Sequence, residues 1–328
     1  MDFKQIQEYI SADLQVALSL MRESLQSDID LLNSTNDSIL SHPGKHIRPM
    51  MALLIARALS GGDDLPRDTY LYACAAELLH NATLLHDDVA DGSASRRGIP
   101  TVMSLLGGRA SVLLGDYWLV KAMDRILQAA HSPEQVIRIF AKTLSDLAEG
   151  EMLQLQKADS GDTSETDYYR IIFNKTASLF EASALSAAIS VGAAPDQKEA
   201  VRSYACHLGI AFQIRDDMLD YEGGVQMGKP VCQDLEEQKI TLPLLGALNG
   251  CDAARAAEIR RQVLQVQDHP QNKEQILSFV RERNGLAYAA SCLEDYIARA
   301  EDALSILAPG TARDALVSLA RFVGKRRN

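Results

Sequence analysis

Two short acidic runs with the same internal spacing carry most of the chemistry this chain could do. Asp87-Asp88-Val89-Ala90-Asp91 and Asp216-Asp217-Met218-Leu219-Asp220 both read D-D-x-x-D. Residues four apart on a helix share a face, so Asp87 points with Asp91 and Asp216 with Asp220. Two such faces turned toward each other would be untenable without cations. Hard divalent ions with oxygen ligands, Mg²⁺ above all, answer that need. Asp87, Asp88, Asp91, Asp216, Asp217 and Asp220 are therefore candidate metal-site residues, and ions held there can reach on to a phosphate-bearing ligand. The duplication separates the pattern from a chance acidic patch.

Cationic and polar residues gather in sequence around both runs. Lys45 and Arg48 stand in Gly44-Lys45-His46-Ile47-Arg48-Pro49. His80 falls on the same helical side as Asp87, and Arg96-Arg97-Gly98 follows the first run directly. Lys175-Thr176 lies between the runs, Gln213 stands one helical turn before Asp216, and Lys229 and Lys239 follow the second run. Any single Lys or Arg here is as well explained by an exposed ion pair of little consequence. Together with six acids they suit two diphosphates, one held through metal and one held by cations directly.

The elements that must position these groups are helices. Apolar residues recur at helical spacing near 47–59, 69–89, 110–130, 133–157, 165–191, 197–221 and 276–307, and no convincing alternating strand run is present. Short Gly- and Pro-marked gaps separate the segments, so successive helices should pack as antiparallel neighbours. The expectation is one all-α domain over 1–328, a single large helical bundle of roughly ten to thirteen helices with a central cavity. Stretches such as 177–191, small and apolar almost all round, should be buried.

Bulk properties exclude several classes. The chain has 328 residues, 47% hydrophobic and 23% charged, with a net charge of −11. That charge argues against a nucleic-acid surface. Cys74, Cys206, Cys232, Cys251 and Cys292 form no C-x-x-C pair, which suggests reduced thiols in a cytoplasmic protein. Met1-Asp2-Phe3-Lys4-Gln5 does not open a signal peptide, and no apolar run approaches the roughly 18 residues of a spanning helix.

The chain resembles the trans-isoprenyl diphosphate synthases, in particular the long-chain, octaprenyl-synthase-like polyprenyl branch. The resemblance covers nearly the whole chain. It is carried by E-L-L-H-N-A-T-L-L-H-D-D-V-A-D-G-S-A-S-R-R-G-I-P-T from Glu77 to Thr101, F-Q-I-R-D-D-M-L-D-Y from Phe212 to Tyr221, G-K-P-V-C-Q-D-L-E-E-Q-K-I-T-L-P from Gly228 to Pro243, and G-K-H-I-R-P from Gly44 to Pro49. It implies the type I isoprenoid synthase fold, a homodimer, and Mg²⁺, about three ions per site with substrate bound. It implies a reaction in which isopentenyl diphosphate is condensed with an allylic diphosphate to make a longer, lipophilic product. By resemblance, Asp87, Asp91 and Asp216 are the direct metal ligands. Lys45, Arg48, His80 and Arg97 match the isopentenyl diphosphate site. Arg96, Lys175, Lys229 and Lys239 match residues that hold the allylic diphosphate, and Thr176 and Gln213 match polar groups near the developing cation. His46 stands where relatives carry another basic residue and is expected to be exposed. Lys325-Arg326-Arg327 could close over the phosphates as in some relatives, or fray into solvent.

Product length should be set beneath Asp87. A helix rises about 5.4 Å per turn, close to one extended isoprene unit, so the helix carrying Asp87 is a ruler. One turn below lie Ala82 and Thr83, where short-chain relatives place an aromatic plug. Leu78 and Leu79 are intermediate in bulk, and Tyr70 and Tyr72 come roughly three to four turns down. A product of about C25 to C50 is expected, unless a neighbouring helix with Tyr117 and Trp118 forms the floor. Alternatives are a geranylgeranyl diphosphate synthase, a class I terpene cyclase, and a non-catalytic partner subunit. The two intact aspartate runs weigh against the last two.

Overall fold

Alanine and leucine at helical spacing lose little side-chain freedom in a helix, and this chain folds as helix almost throughout. The computed structural model describes residues 1–61, 64–96, 98–223 and 232–326. In order these form α1 (Phe3–Ser24), α2 (Asp30–Leu40), α3 (Ile47–Leu59), α4 (Arg67–Ala90), a hairpin of β1 (Ser95–Arg96) and β2 (Ile99–Pro100), α5 (Val102–Leu106), α6 (Gly108–Leu127) and α7 (Pro133–Ser160). Then come α8 (Glu165–Ile172), a π-helical turn (Phe173–Ala177), α9 (Ser178–Ser190), α10 (Pro195–Glu222), α11 (Gln233–Glu236), α12 (Leu242–Leu248), α13 (Ala253–Leu264), α14 (Gln271–Glu282), α15 (Gly285–Ala303) and α16 (Thr311–Lys325). The all-α expectation holds, and all five cysteines are thiols.

The periodicity read the long helices to within a few residues and missed three kinds of feature. The expected helix at 165–191 is interrupted by the π-helical turn, and that at 276–307 breaks at Asn284, which is left-handed with φ 55°. Asparagine tolerates that conformation because its short side chain can hydrogen-bond locally. The sixteen α-helical segments among the described residues exceed the expected count because α5, α11 and α12 are too short to show a period. Helix α1 was passed over, yet Ile6, Ile10, Ala17 and Met21 bury one face, and Asp2 and Gln5 close a capping box at its start.

Two compact units divide the chain. The first comprises Met1–Ala141, Ala182–Arg202 and Ile306–Ser318. In it α4 packs against α1, α3 and α6. From Leu71 to Leu79 every residue of α4 is buried, so this stretch shows no amphipathic period. Its carboxyl end is fixed by α6. Ser111 donates to the Leu85 carbonyl at 2.8 Å, and Gly115 lies so close to α4 that a Cβ there would meet His86 Nε2 at 2.4 Å.

The second unit comprises Lys142–Glu181, Ser203–Ser305 and Leu319–Asn328. Its core gathers Ile172, Ile214, Met218, Leu235, Val280 and Leu293. Helix α10 crosses the π-helical turn at Gly209, where a Cβ would stand 2.6 Å from the Cα of Ala177. That contact is with backbone, which cannot swing aside. The replacement Gly209→Ala gains roughly 1 kcal/mol of helix propensity. Overpacking of about 1–3 kcal/mol opposes it and should prevail. Urea unfolding should show a net loss of about 1 kcal/mol. A variant as stable as the parent would show that α10 and the turn can part at no cost.

Candidate active site

The first acidic run ends α4. Asp87 is half-buried, Asp88 is buried, and Asp91 is the exposed C-cap whose N–H donates to the Asp87 carbonyl at 2.8 Å. A helix carboxyl end carries partial negative charge, which disfavours anions there by about 0.3–1 kcal/mol each. The last turn of α4 has no basic residue to offset it. The hairpin that follows pairs Arg96 with Ile99, folding the chain back so that Arg96 Nε donates to Asp88 at 2.9 Å. Asp88 is thus engaged by Arg96, and Asp87 and Asp91 lie one turn apart on one face. Arg97 lies outside the described residues.

The same unit holds a cationic group built on one buried acid. His46 has φ 50° at the start of α3, and its Nδ1–H donates to Glu77 Oε1 at 2.8 Å. His46 is therefore a half-buried partner of Glu77 and not the exposed side chain expected. The residues around His46 in sequence do not show that Glu77 on α4 lies against it. Arg48 is buried, while Lys45 and His80 are half-buried. Burial alone would raise the Glu77 carboxyl. The His46 hydrogen bond and the charges of His46, His80 and Arg48 overcome that and hold it at about 2. Glu77 was not singled out in the sequence. The available signal was an acid in an otherwise apolar run, one turn before His80.

The second run lies in the last two turns of α10, which continues to Glu222, again with no basic residue in the last turn. Its three acids have different surroundings. Asp216 is half-exposed and pairs with Arg326 at 2.8 Å. Asp217 is buried and accepts from the Tyr168 hydroxyl at 2.6 Å and from Gln213 Nε2 at 2.8 Å. Asp220 accepts from the backbone of Gln233 at 3.0 Å and of Asp234 at 3.1 Å, capping α11. Thr176 donates to Gln213 Oε1 at 2.8 Å. Lys175 pairs with Glu151 on α7 at 2.5 Å, and Lys239 contacts Glu237. Lys175 and Thr176 both lie in the π-helical turn, a distortion frequent at functional sites. Lys229 lies outside the described residues, as does Arg327.

The acids of this unit fit a cation. Burial pushes Asp217 up to about 7, against the pull of Tyr168 and Gln213, and the negative charges of Asp216 and Asp220 add to the rise. Asp220 and Asp234 are raised too, by burial first. A bound divalent ion would reverse that cost. Among the described residues, no group of three or more His, Cys, Asp or Glu side chains forms a ready-made cage. Mg²⁺ suits such a site, because it is held by one or two carboxylates, water and the phosphates of its substrate.

The residues expected to set product length sit in the interior of the first unit. Leu78, Leu79 and Ala82 are buried, and Thr83 is half-buried with its hydroxyl donating to the His80 carbonyl at 2.8 Å. Tyr72 is fully buried and donates to the His131 carbonyl at 2.7 Å. Tyr70 turns to Asp13 on α1. On α6, Trp118 is buried and donates to Asn36, whereas Tyr117 reaches the Gln26 carbonyl.

An all-helical chain with two such acidic helix ends and a cationic group over a buried acid has the make-up of a prenyl diphosphate enzyme. The polyprenyl synthetase family profile matches residues 29–280. The octaprenyl diphosphate synthase of Haemophilus influenzae is 37% identical over 323 residues, 98% of this chain and 96% of that protein. The solved polyprenyl synthase of Caulobacter crescentus, complexed with calcium and isoprenyl diphosphate, superposes with a TM-score of 0.90 at 33% identity, covering 100% of this chain and 98% of that one. A decaprenyl diphosphate synthase from Rhodobacter capsulatus gives 0.89 at 33% identity, covering 99% of each chain. The chain belongs to the polyprenyl synthetase family. The expected trans-isoprenyl diphosphate synthase and its all-α fold are thereby borne out.

Glu77 makes acid stability testable. Its carboxyl sits at about 2 against an ordinary 4.5, so its contribution is complete above pH 4.5 and is lost as pH falls toward 2. The contribution is about 3 kcal/mol at most. In Glu77→Gln, urea unfolding at stepped pH should show a flatter decline across that window than the parent shows. Equal slopes would mean that Glu77 titrates as an ordinary carboxyl.

Proposed function

We propose that the chain is a Mg²⁺-dependent trans-prenyltransferase that adds isopentenyl diphosphate to geranyl, farnesyl or geranylgeranyl diphosphate, making an all-trans product of about C25 to C50. The observation that carries this reading is the pair of D-D-x-x-D runs at helix carboxyl ends, neither offset by a basic residue in its last turn. Lys45, Arg48, His80 and Arg97 hold isopentenyl diphosphate. Arg96, Lys175, Lys229 and Lys239 hold the allylic diphosphate. Asp87, Asp91 and Asp216 would hold about three Mg²⁺ ions, which would supply positive charge against the departing diphosphate. The allylic C–O bond breaks, and its electron pair leaves with diphosphate. The double bond of isopentenyl diphosphate then attacks the allylic cation, and a proton passes to the released diphosphate. Thr176 and Gln213 offer polar atoms to the cation, and apolar surroundings keep water from it. In this reading residues 1–328 act as one catalytic domain, because each unit supplies groups the reaction needs.

The active form is a cytoplasmic homodimer in this reading. Leu113, Val120 and Leu127 recur every second turn on α6 and are all exposed. A second copy of the chain would cover such a stripe. Among the described residues no helix is long and apolar enough to cross a membrane.

Purified protein incubated with Mg²⁺, labelled isopentenyl diphosphate and farnesyl diphosphate should yield a ladder of products ending beyond geranylgeranyl diphosphate. Ala82→Phe should shorten that ladder. An end at geranylgeranyl diphosphate would make the chain a shorter-product synthase, and an unaltered ladder in the variant would place the floor elsewhere. No elongation with any primer would overturn the reading.

Arg326 adds a condition on metal binding. Its guanidinium donates to Asp216 and to the Phe212 carbonyl and lies 3.6 Å over the Phe212 ring. A divalent ion must compete with it for the Asp216 oxygen. In Arg326→Gln the Mg²⁺ concentration at half-maximal thermal stabilisation should fall about two- to tenfold. An unchanged or higher concentration would show that the guanidinium and the metal do not compete.

A further inference from the structure

We propose that Tyr168 is a positioning residue for prenyl transfer. Through Asp217 and Gln213 its phenol turns the Thr176 hydroxyl into a donor toward the protein, leaving the lone pairs of that oxygen for the allylic cation. The proposal rests on the reading above that Thr176 lies beside the cation. Its own ground is a chain of three hydrogen bonds across α8, the π-helical turn and α10, with Tyr168 and Asp217 both buried.

The direction of the chain follows from its members. With a divalent ion beside it Asp217 would be an ionised carboxylate, which only accepts. Asp217 takes the Tyr168 proton on one oxygen at 2.6 Å and faces Gln213 with the other at 2.8 Å. Gln213 must therefore turn its NH₂ to Asp217, which puts its carbonyl against Thr176. A hydroxyl has one hydrogen to give and two acceptor sites. Thr176 spends that hydrogen on Gln213, so it shows other neighbours acceptor density alone. Preorganised negative density beside a developing positive charge lowers the barrier, whereas an O–H aimed at it would raise it.

Tyr168 is the fixed end. Its ring packs in the same core cluster as Ile172 and Ile214, so the phenol cannot swing away. Asp217 is next to Asp216 and one turn from Asp220. Without the phenol, one Asp217 oxygen loses its partner, and the carboxylate can rotate toward whatever cation those residues hold. Gln213 would then lose the contact that sets its amide, and Thr176 the acceptor that sets its hydroxyl.

A double-mutant cycle on the full chain tests this, using isopentenyl and farnesyl diphosphates with Mg²⁺ titrated. Tyr168→Phe and Thr176→Val should each lower kcat about ten- to a hundredfold. KM for both diphosphates and the Mg²⁺ concentration at half-maximal rate should stay within about twofold. The double variant should be no slower than Thr176→Val, because Tyr168 acts through Thr176. Multiplying losses in the double variant would overturn the proposal, as would a Tyr168→Phe defect confined to KM or to Mg²⁺ demand. Full activity of Tyr168→Phe beside a slow Thr176→Val would sink the relay alone. Full activity of Thr176→Val would instead remove Thr176 from the cation and overturn the assignment on which the relay rests. If Tyr168→Phe fails to fold by circular dichroism, Tyr168→Met, which also lacks the donor, takes its place in the cycle with the same expectations.

Discussion

A carboxylate at the carboxyl end of a helix meets the negative pole of the helix dipole, and this chain places a D-D-x-x-D run there twice. Each run solves the resulting problem the same way. One acid is buried and engaged by protein: Asp88 by Arg96, Asp217 by Tyr168 and Gln213. In the second run another acid also caps a short helix, Asp220 at the start of α11. The acids at the ends of the motif share one helical face.

Most of the fold was legible because long helices repeat their pattern. The periods near 47–59 and 197–221 became α3 and α10 almost residue for residue. The missed features leave little periodic trace. A π-helical turn adds a residue to one turn of a continuing helix, so the run through Lys175 and Thr176 reads as ordinary α-helix. A four-residue segment such as α11 is shorter than the period that would betray it.

The aspartates were legible because their chemistry demands a fixed spacing on one element. The residues that support them were not, since their roles come from other elements. Tyr168 on α8 looks like a core aromatic until α10 brings Asp217 to its hydroxyl. Glu77 looks like a lone acid on an apolar helix until the start of α3 brings His46 to it. His46 is engaged by a helix distant in sequence, which its own neighbours do not show.

The same logic explains why so many polar groups tolerate an apolar setting. A buried polar atom costs free energy unless it is paired, and a buried charge costs more. Arg48, His46 and His80 all set positive charge toward one buried acid, Glu77, so cations exceed acids there. The second unit does the opposite, gathering Asp217, Asp220 and Asp234, all three raised by burial first and by neighbouring negative charge second. A group with cations in excess of its acid can receive an anion directly. An overcharged acidic one can receive an anion only through a cation. That difference matches a reaction with two diphosphates, one retained on the product and one released.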